Sequence, residues 1–289
     1  MNVKARAKIN LTLDVTGIRD DGYHDLKMIM QTVELYDKVY IKEIAKSNIK
    51  LKSNIEWLPV DDRNLAYKAA EILKNRYNIK KGIFIELSKS IPVAAGLAGG
   101  SADCAAVLYG MNVLFDIGIS KQELMNIALE LGSDVPYCLM RGTALAEGRG
   151  EILTKLSPCP KAWVVLAKPP VGMSTASVYK AIDAFDSYKH PNTEAMIDAI
   201  EKHDITAVAK NLSNVLENAS IPMCSMIADL KETLNDCGAL GSLMSGSGPT
   251  VYGLFEKKAS AENAVSVIKK KFEIKDVFLT KIYNIGGDN

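Results

Sequence analysis

Apolar and polar residues alternate along "INLTLDV". Ile9, Leu11, Leu13 and Val15 share one face, and Asn10, Thr12 and Asp14 share the other. A period of two predicts a half-buried strand. Val39 with Ile41, Ile49 with Leu51, and the alternating "GIFIEL" predict further strands. In "NLAYKAAEILKNRY", Leu65, Ala69, Ile72 and Leu73 recur at helical spacing. A run of small residues predicts a helix over 101–115. Ser120-Lys-Gln-Glu123 is a capping box and Gly132 a stop, so 120–131 is expected to be helical. "GTALAEGRGEILTKL" reads as two short strands around a turn.

"SPCPK", residues 157–161, carries two prolines and reads as a linker. Beyond it the pattern predicts a strand (162–168), a helix (174–185), a helical stretch (193–217) and a helix (222–237). Strands at 239–244 and 250–255, a helix at 260–272 and a strand at 276–283 follow. Without the extra helices this is β-α-β-β-α-β, the ferredoxin-like order. The fold class expected is α+β in two domains, 1–156 and 162–284.

Composition narrows the function. The chain has 289 residues, 35 Lys+Arg against 34 Asp+Glu, and a net charge of +1, so it lacks the basic footprint of a nucleic-acid binder. Five scattered cysteines without C-x-x-C spacing argue against a disulfide framework or a zinc site, and for a reducing compartment. No apolar stretch suggests a leader or a membrane span. A cytoplasmic protein is expected, with neither membrane nor nucleic acid as partner, acting as a monomer or weak homodimer.

The chemistry starts at "PVAAGLAGGSA". Gly96, Gly99 and Gly100 stand directly before the helix near Ser101. A helix start exposes unpaired N–H groups and a partial positive charge, and glycines let an anion approach them. A phosphate cradle is the physical reading; a plain strand-to-helix turn is the alternative. Neither the Walker A pattern nor the dinucleotide fingerprint is present, since position 98 is Ala.

Two further stretches go with it: "AKINLTLDVTGIRDDGYHDLKMIMQTVELYD" at the front and the second glycine loop, "MSGSGPT" (Met244–Thr250). In this order the three segments resemble the signature segments of the GHMP kinases, which phosphorylate small alcohols with ATP. The resemblance implies an N-terminal ribosomal-S5-like α/β domain and a C-terminal ferredoxin-like domain. "DGYH" (Asp21–His24), "GSDVPYCL" and "GTALAEGRGE" further resemble the members whose acceptor is a cytidine diphosphate ester of methylerythritol. Other members act on homoserine, mevalonate or sugars. A non-catalytic metabolite-binding protein is the reading from another class.

The resemblance assigns roles residue by residue. Lys8 and Asp134 are the expected catalytic pair. Asp134 orients the acceptor hydroxyl and takes its proton, and Lys8 stabilises the alkoxide. ATP is expected on Pro92, Val93, Ala94, Ala95, Gly96, Leu97, Ala98, Gly99, Gly100, Ser101 and Ala102, with Asn64 and Lys89 at the adenosine. Asn10, Tyr23, His24, Thr175 and Tyr179 are expected at the acceptor, Tyr23 stacking on the base and His24 meeting its pairing edge. Without the resemblance, Lys8 is an exposed strand residue, Asn64 or Asp134 a helix cap, Tyr179 core, and His190 and His203 solvated. Mg2+ is implied by the chemistry, with no protein ligand assigned. Where family members carry Gly and Ser, this chain has Ala98, tolerable if its φ is negative, and Ala102, which lacks a hydroxyl.

Overall fold

The structure, a computed structural model, describes residues 1–285. The elements run β1 (Asn2–Ile18), β2 (His24–Ile44), β3 (Ile49–Ser53), α1 (Leu65–Arg76), β4 (Gly82–Ser88), α2 (Gly99–Leu114), α3 (Lys121–Leu131), α4 (Val135–Met140), β5 (Thr143–Gly148) and β6 (Ile152–Lys155). Then come β7 (Trp163–Ala167), α5 (Thr175–Ile182), α6 (Thr193–Glu201), α7 (Ile205–Lys210), β8 (Ser213–Asn214), α8 (Glu217–Met223), α9 (Met226–Asp236), β9 (Gly241–Met244), β10 (Val251–Phe255), α10 (Lys258–Phe272) and β11 (Val277–Lys281). They pack as two compact units that interleave along the chain. One is built of Met1–Ala7, Leu35–Val93 and Ala98–Met140; the other of Lys8–Glu34, Ala94–Leu97 and the chain from Arg141. β1 and β2, 17 and 21 residues long, are each long enough to serve both.

In the first unit β4 lies antiparallel to the end of β2 (Ile41 opposite Ile85) and parallel to β3 (Leu51 opposite Ile85). α1 buries Ala66, Ala69, Ala70 and Leu73; of the face the sequence predicts, Ala69 and Leu73 are buried, while Leu65 and Ile72 at its edge are half-buried. The α2 residues from Ala102 to Leu108 are all buried, so its middle is covered on every side, while Tyr109 and Val113 toward its end are exposed. A side chain at Gly110 would come within 2.5 Å of Ile41 Cδ1, which explains the glycine in mid-helix. Ser120 caps α3 by accepting from Glu123 N at 3.2 Å, as the capping box predicts.

In the second unit β5 pairs antiparallel with the front of β2, and β6 with β5. A second sheet has the order β11-β7-β10-β9, antiparallel throughout, which is the β-α-β-β-α-β arrangement expected. Two expectations fail here. The helical stretch over 193–217 is broken: Asp204 caps a new helix by accepting from Ala207 N, and β8 pairs in parallel with β1 through Thr12 and Ser213. β1 is also not half-buried, since Lys8, Asn10, Thr12 and Asp14 are as inaccessible as Ile9 and Leu11. The polar face is covered because its groups have partners: Gly246 N donates to Asn10 and Ile29 N to Thr12.

Candidate active site

The first glycine loop leads into α2 with a distinctive backbone. Ala94, Gly96 and Ala98 have φ of +52°, +72° and +56°, and no positive φ occurs between them. Alternation of this kind turns successive N–H groups into one concavity, the geometry of backbone anion sites. Ala98 is the residue preceding α2, with no side-chain cap. Its φ is therefore positive, contrary to the sequence expectation, because the chain must reverse hand to start the helix. Gly100 needs explaining in another way. Its φ is not left-handed, and a Cβ there would meet nothing within 4 Å. Local structure does not require this glycine, and an incoming anion would.

Alanine pays about 1–2 kcal/mol for the left-handed region, and glycine loses roughly 0.4–1 kcal/mol through its freer unfolded chain. Ala98→Gly is thus expected to stabilise the protein by about 0.5–1 kcal/mol. Thermal unfolding checks this, and a lower melting temperature would contradict it.

Beneath α2, in the first unit, lies a buried cluster that the sequence reading did not see. Lys89 Nζ bridges Asp37 and Asp103, and all three side chains are at most 3% exposed. Lys89 therefore spends its ammonium on two carboxylates rather than reaching for a nucleotide. Burial pushes the Asp103 carboxyl up to about 7 against the pull of Lys89. The signal was present: Asp103 is the one charged residue in an otherwise small and apolar helix start. Asn64 takes the alternative reading. Its side chain accepts from Ala66 N at 2.9 Å and donates to Pro59 O at 2.8 Å, so both ends serve the start of α1. Asp134 does not: its carboxylate is half-buried ahead of α4 and has no hydrogen-bond or ion-pair partner among the described residues.

In the second unit Lys8 is 5% exposed, not the solvated strand residue that alternation allowed. Its Nζ donates to Asn10 Oδ1 at 2.7 Å. The same oxygen accepts from Gly246 N at 3.0 Å, and Asn10 Nδ2 faces Met28 Sδ. Asn10 thus fixes Lys8 and the second glycine loop at once, its Oδ1 shared between the two donors. Asn214 Nδ2 holds that loop through the carbonyls of Met244 and Gly246, and Ser245 Oγ donates to Gly96 O at 2.9 Å. The second loop supports the first, as its glycines suggested. Thr175 Oγ1 lies 3.0 Å from Ser247 Oγ on the same loop.

Also in the second unit, the rings of His24 and Tyr179 pack with centroids 4.9 Å apart, tilted by 35°. Tyr179 is half-buried rather than core; Val178 and Ile182 take the buried face of α5. Tyr23 is 57% exposed, with the Arg149 guanidinium 5.3 Å from its ring centre. His24 Nε2 lies 2.6 Å from Asp183 Oδ1. His190, expected to be solvated, is 2.8 Å from Asp14 Oδ1. Arg149 and Asp183 were missed because nothing local in the sequence links them to the turn at Asp21–His24. Among the described residues no three His, Cys, Asp or Glu side chains converge to form a metal cage. The five cysteines are free, and among the described residues no helix is long and apolar enough to cross a membrane.

A glycine loop leading into α2, a second glycine loop braced against it and a ferredoxin-like sheet are what the resemblance to small-molecule kinases implies. The comparisons agree. Residues 64–142 match the GHMP kinases N terminal domain, and residues 196–274 match GHMP kinases C terminal. A 4-diphosphocytidyl-2-C-methyl-D-erythritol kinase of Clostridium botulinum (strain Alaska E43 / Type E3) is 52% identical over 281 residues, 97% of this chain and 99% of the relative. One from Lachnospira eligens is 47% identical over 283 residues, 98% of each chain. A crystal structure of 4-(cytidine 5'-diphospho)-2C-methyl-D-erythritol kinase superposes with a TM-score of 0.83 at 29% identity, covering 98% of this chain and 99% of that one. A homoserine kinase from Cytophaga hutchinsonii, at 21% identity and TM-score 0.74 over 97% and 93%, shares the fold. The chain belongs to the 4-diphosphocytidyl-2-C-methyl-D-erythritol kinase family of the GHMP kinases.

Proposed function

We propose that the protein transfers the γ-phosphoryl group of ATP to the 2-hydroxyl of 4-diphosphocytidyl-2-C-methyl-D-erythritol, a step toward isoprenoid precursors. The acceptor O–H bond breaks and its proton goes to Asp134. A bond from that oxygen to phosphorus forms, and the bond to the leaving ADP oxygen breaks. The unpartnered Asp134 carboxylate suits this task. Lys8, held by Asn10, stabilises the charge growing on the oxygen. The loop of residues 92–102 cradles the phosphates, with the backbone N–H groups after Pro92 and before Ala102 as donors. Mg2+ supplies charge neutralisation on the phosphates. The linker at 157–161 separates domains 1–156 and 162–284, and each contains one of the two family matches. The protein works in the cytoplasm, as a monomer or weak homodimer.

The observation that carries the acceptor assignment is the aromatic group of Tyr23, His24 and Tyr179. Exposed Tyr23 stacks on the base, and Tyr179 backs His24. With Nε2–H directed at Asp183, the other ring nitrogen, Nδ1, is left as an acceptor. Cytosine offers an exocyclic amine to such an acceptor, whereas uracil presents a carbonyl that repels it. The uridine ester is therefore expected to be a much poorer substrate, because mismatched polar groups cost a few kcal/mol, roughly. Tyr23→Ala should raise the acceptor KM by the loss of about 1–3 kcal/mol of stacking, leaving the KM of ATP nearly unchanged. Steady-state kinetics on both esters tests this. Equal rates, or a better rate with homoserine or mevalonate, would remove the cytidine reading.

A further inference from the structure

The Asp37–Lys89–Asp103 cluster plays no part in the chemistry above, yet it joins three segments of the first unit. Asp37 lies within β2, Lys89 follows β4, and Asp103 is on the second turn of α2. Lys89 Nζ donates to Asp103 Oδ2 at 2.6 Å and also to Asp37 Oδ2. The other Asp37 oxygen accepts from the backbone N–H groups of Ser90 and Ile91. Asn54 grips Lys89 from outside, accepting from its N–H at 2.8 Å and donating to its carbonyl at 3.1 Å. All of this lies directly under Gly99, whose Cβ position is 3.0 Å from Ile91 Cγ2 and 3.3 Å from Lys89 Nζ. Lys89 and Ile91 are thus the floor on which the start of α2 rests, and the two carboxylates fix that floor. Asp103 Oδ1 is buried without a partner, which a purely structural ion pair would have no reason to leave.

We propose that Asp37 and Asp103, acting through Lys89, are positioning residues that seat the first turn of α2 for nucleotide phosphates. This rests on the reading of residues 92–102 as the ATP cradle. A buried ion pair contributes little net stability but is costly to break on one side. Its use here is geometric, because phosphoryl transfer relies almost wholly on placement. The cluster lies in the first unit, against the start of α2.

Asp103→Ala leaves Lys89 paired with Asp37 alone. It is expected to raise the KM of ATP about tenfold or more, with the acceptor KM nearly unchanged. Asp103→Asn keeps an oxygen for Lys89 and should recover most of the loss. Thermal unfolding confirms that each variant is folded. If Asp103→Ala does not fold, Asp37→Asn, which replaces one accepting oxygen by a donor, is read by the same criteria. A folded variant with an unchanged KM for ATP overturns the proposal. So does an equal rise in both KM values, since that marks general loosening. Failure of the wild-type protein to bind ATP, measured by calorimetry, overturns the cradle itself and is distinct from either result.

Discussion

Asp134→Asn is expected to fold and bind ATP normally while turning over about 10²–10⁴ times more slowly, the usual worth of a positioned general base. An amide can still hydrogen-bond the acceptor hydroxyl, but it cannot take the proton as the oxygen–phosphorus bond forms. The structure makes the substitution clean. The carboxylate caps nothing and pairs with nothing among the described residues, so its loss leaves no partner stranded. The Asp134 carbonyl, which accepts from Cys138 N at 3.1 Å, is untouched by the change. ADP release in the presence of the cytidine ester gives the rate, and melting with and without ATP gives fold and binding. Near-normal turnover would show that Asp134 only orients the hydroxyl or does neither.

Gly96→Ala should be strongly damaging to both fold and activity. The φ of Gly96 is +72°, and an added Cβ would lie 2.2 Å from Ser245 O and 3.1 Å from Ser245 C. Both atoms are backbone, so no side chain can rotate away. The two glycine loops would have to separate, breaking the bond from Ser245 Oγ to Gly96 O and disturbing Gly246, which is tied to Asn10 and hence to Lys8. Left-handed strain and overpacking together cost about 2–4 kcal/mol. A fall in melting temperature with loss of activity is the expected result. Gly100→Ala is the contrast, since its Cβ meets nothing. That variant should melt like the parent and lose affinity for ATP. If Gly96→Ala proved as mild as Gly100→Ala, the close approach of the two loops would be wrong.

The sequence carried the fold where periodicity is strong. The helix α1 with its buried Ala69 and Leu73, the capping box at Ser120 and the order of elements in the C-terminal half were legible from spacing alone. It misled where polar side chains are spent on backbone. Thr12 and Asn10 look like a solvent face by alternation, but hydrogen bonds bury them. Asp204 and Asn214 break a helical run through caps and loop contacts that hydrophobic spacing does not record. At the candidate site, the glycine loop and the Tyr23–His24 turn drew attention because glycine and aromatic residues stand out locally. Asp37, Asp183 and Arg149 could not, because their partners lie 52, 159 and 126 positions away. Ala98 was misjudged because φ depends on how the chain enters α2, not on residue type.

The interleaving of the two units sets an order of assembly. The first unit has all its parts once Met140 has been made, so it can close while the rest of the chain is still being synthesised. The second must hold Lys8–Glu34 in reserve until residues beyond 141 arrive, and β1 meets β8 only after about 200 intervening residues. During that interval the strand that carries Lys8 and Asn10 lacks its cover, and its apolar face, Ile9, Leu11 and Leu13, is exposed to other nascent chains. The stage at which this protein is most exposed to aggregation is therefore translation of its C-terminal half, when α2 is already in place.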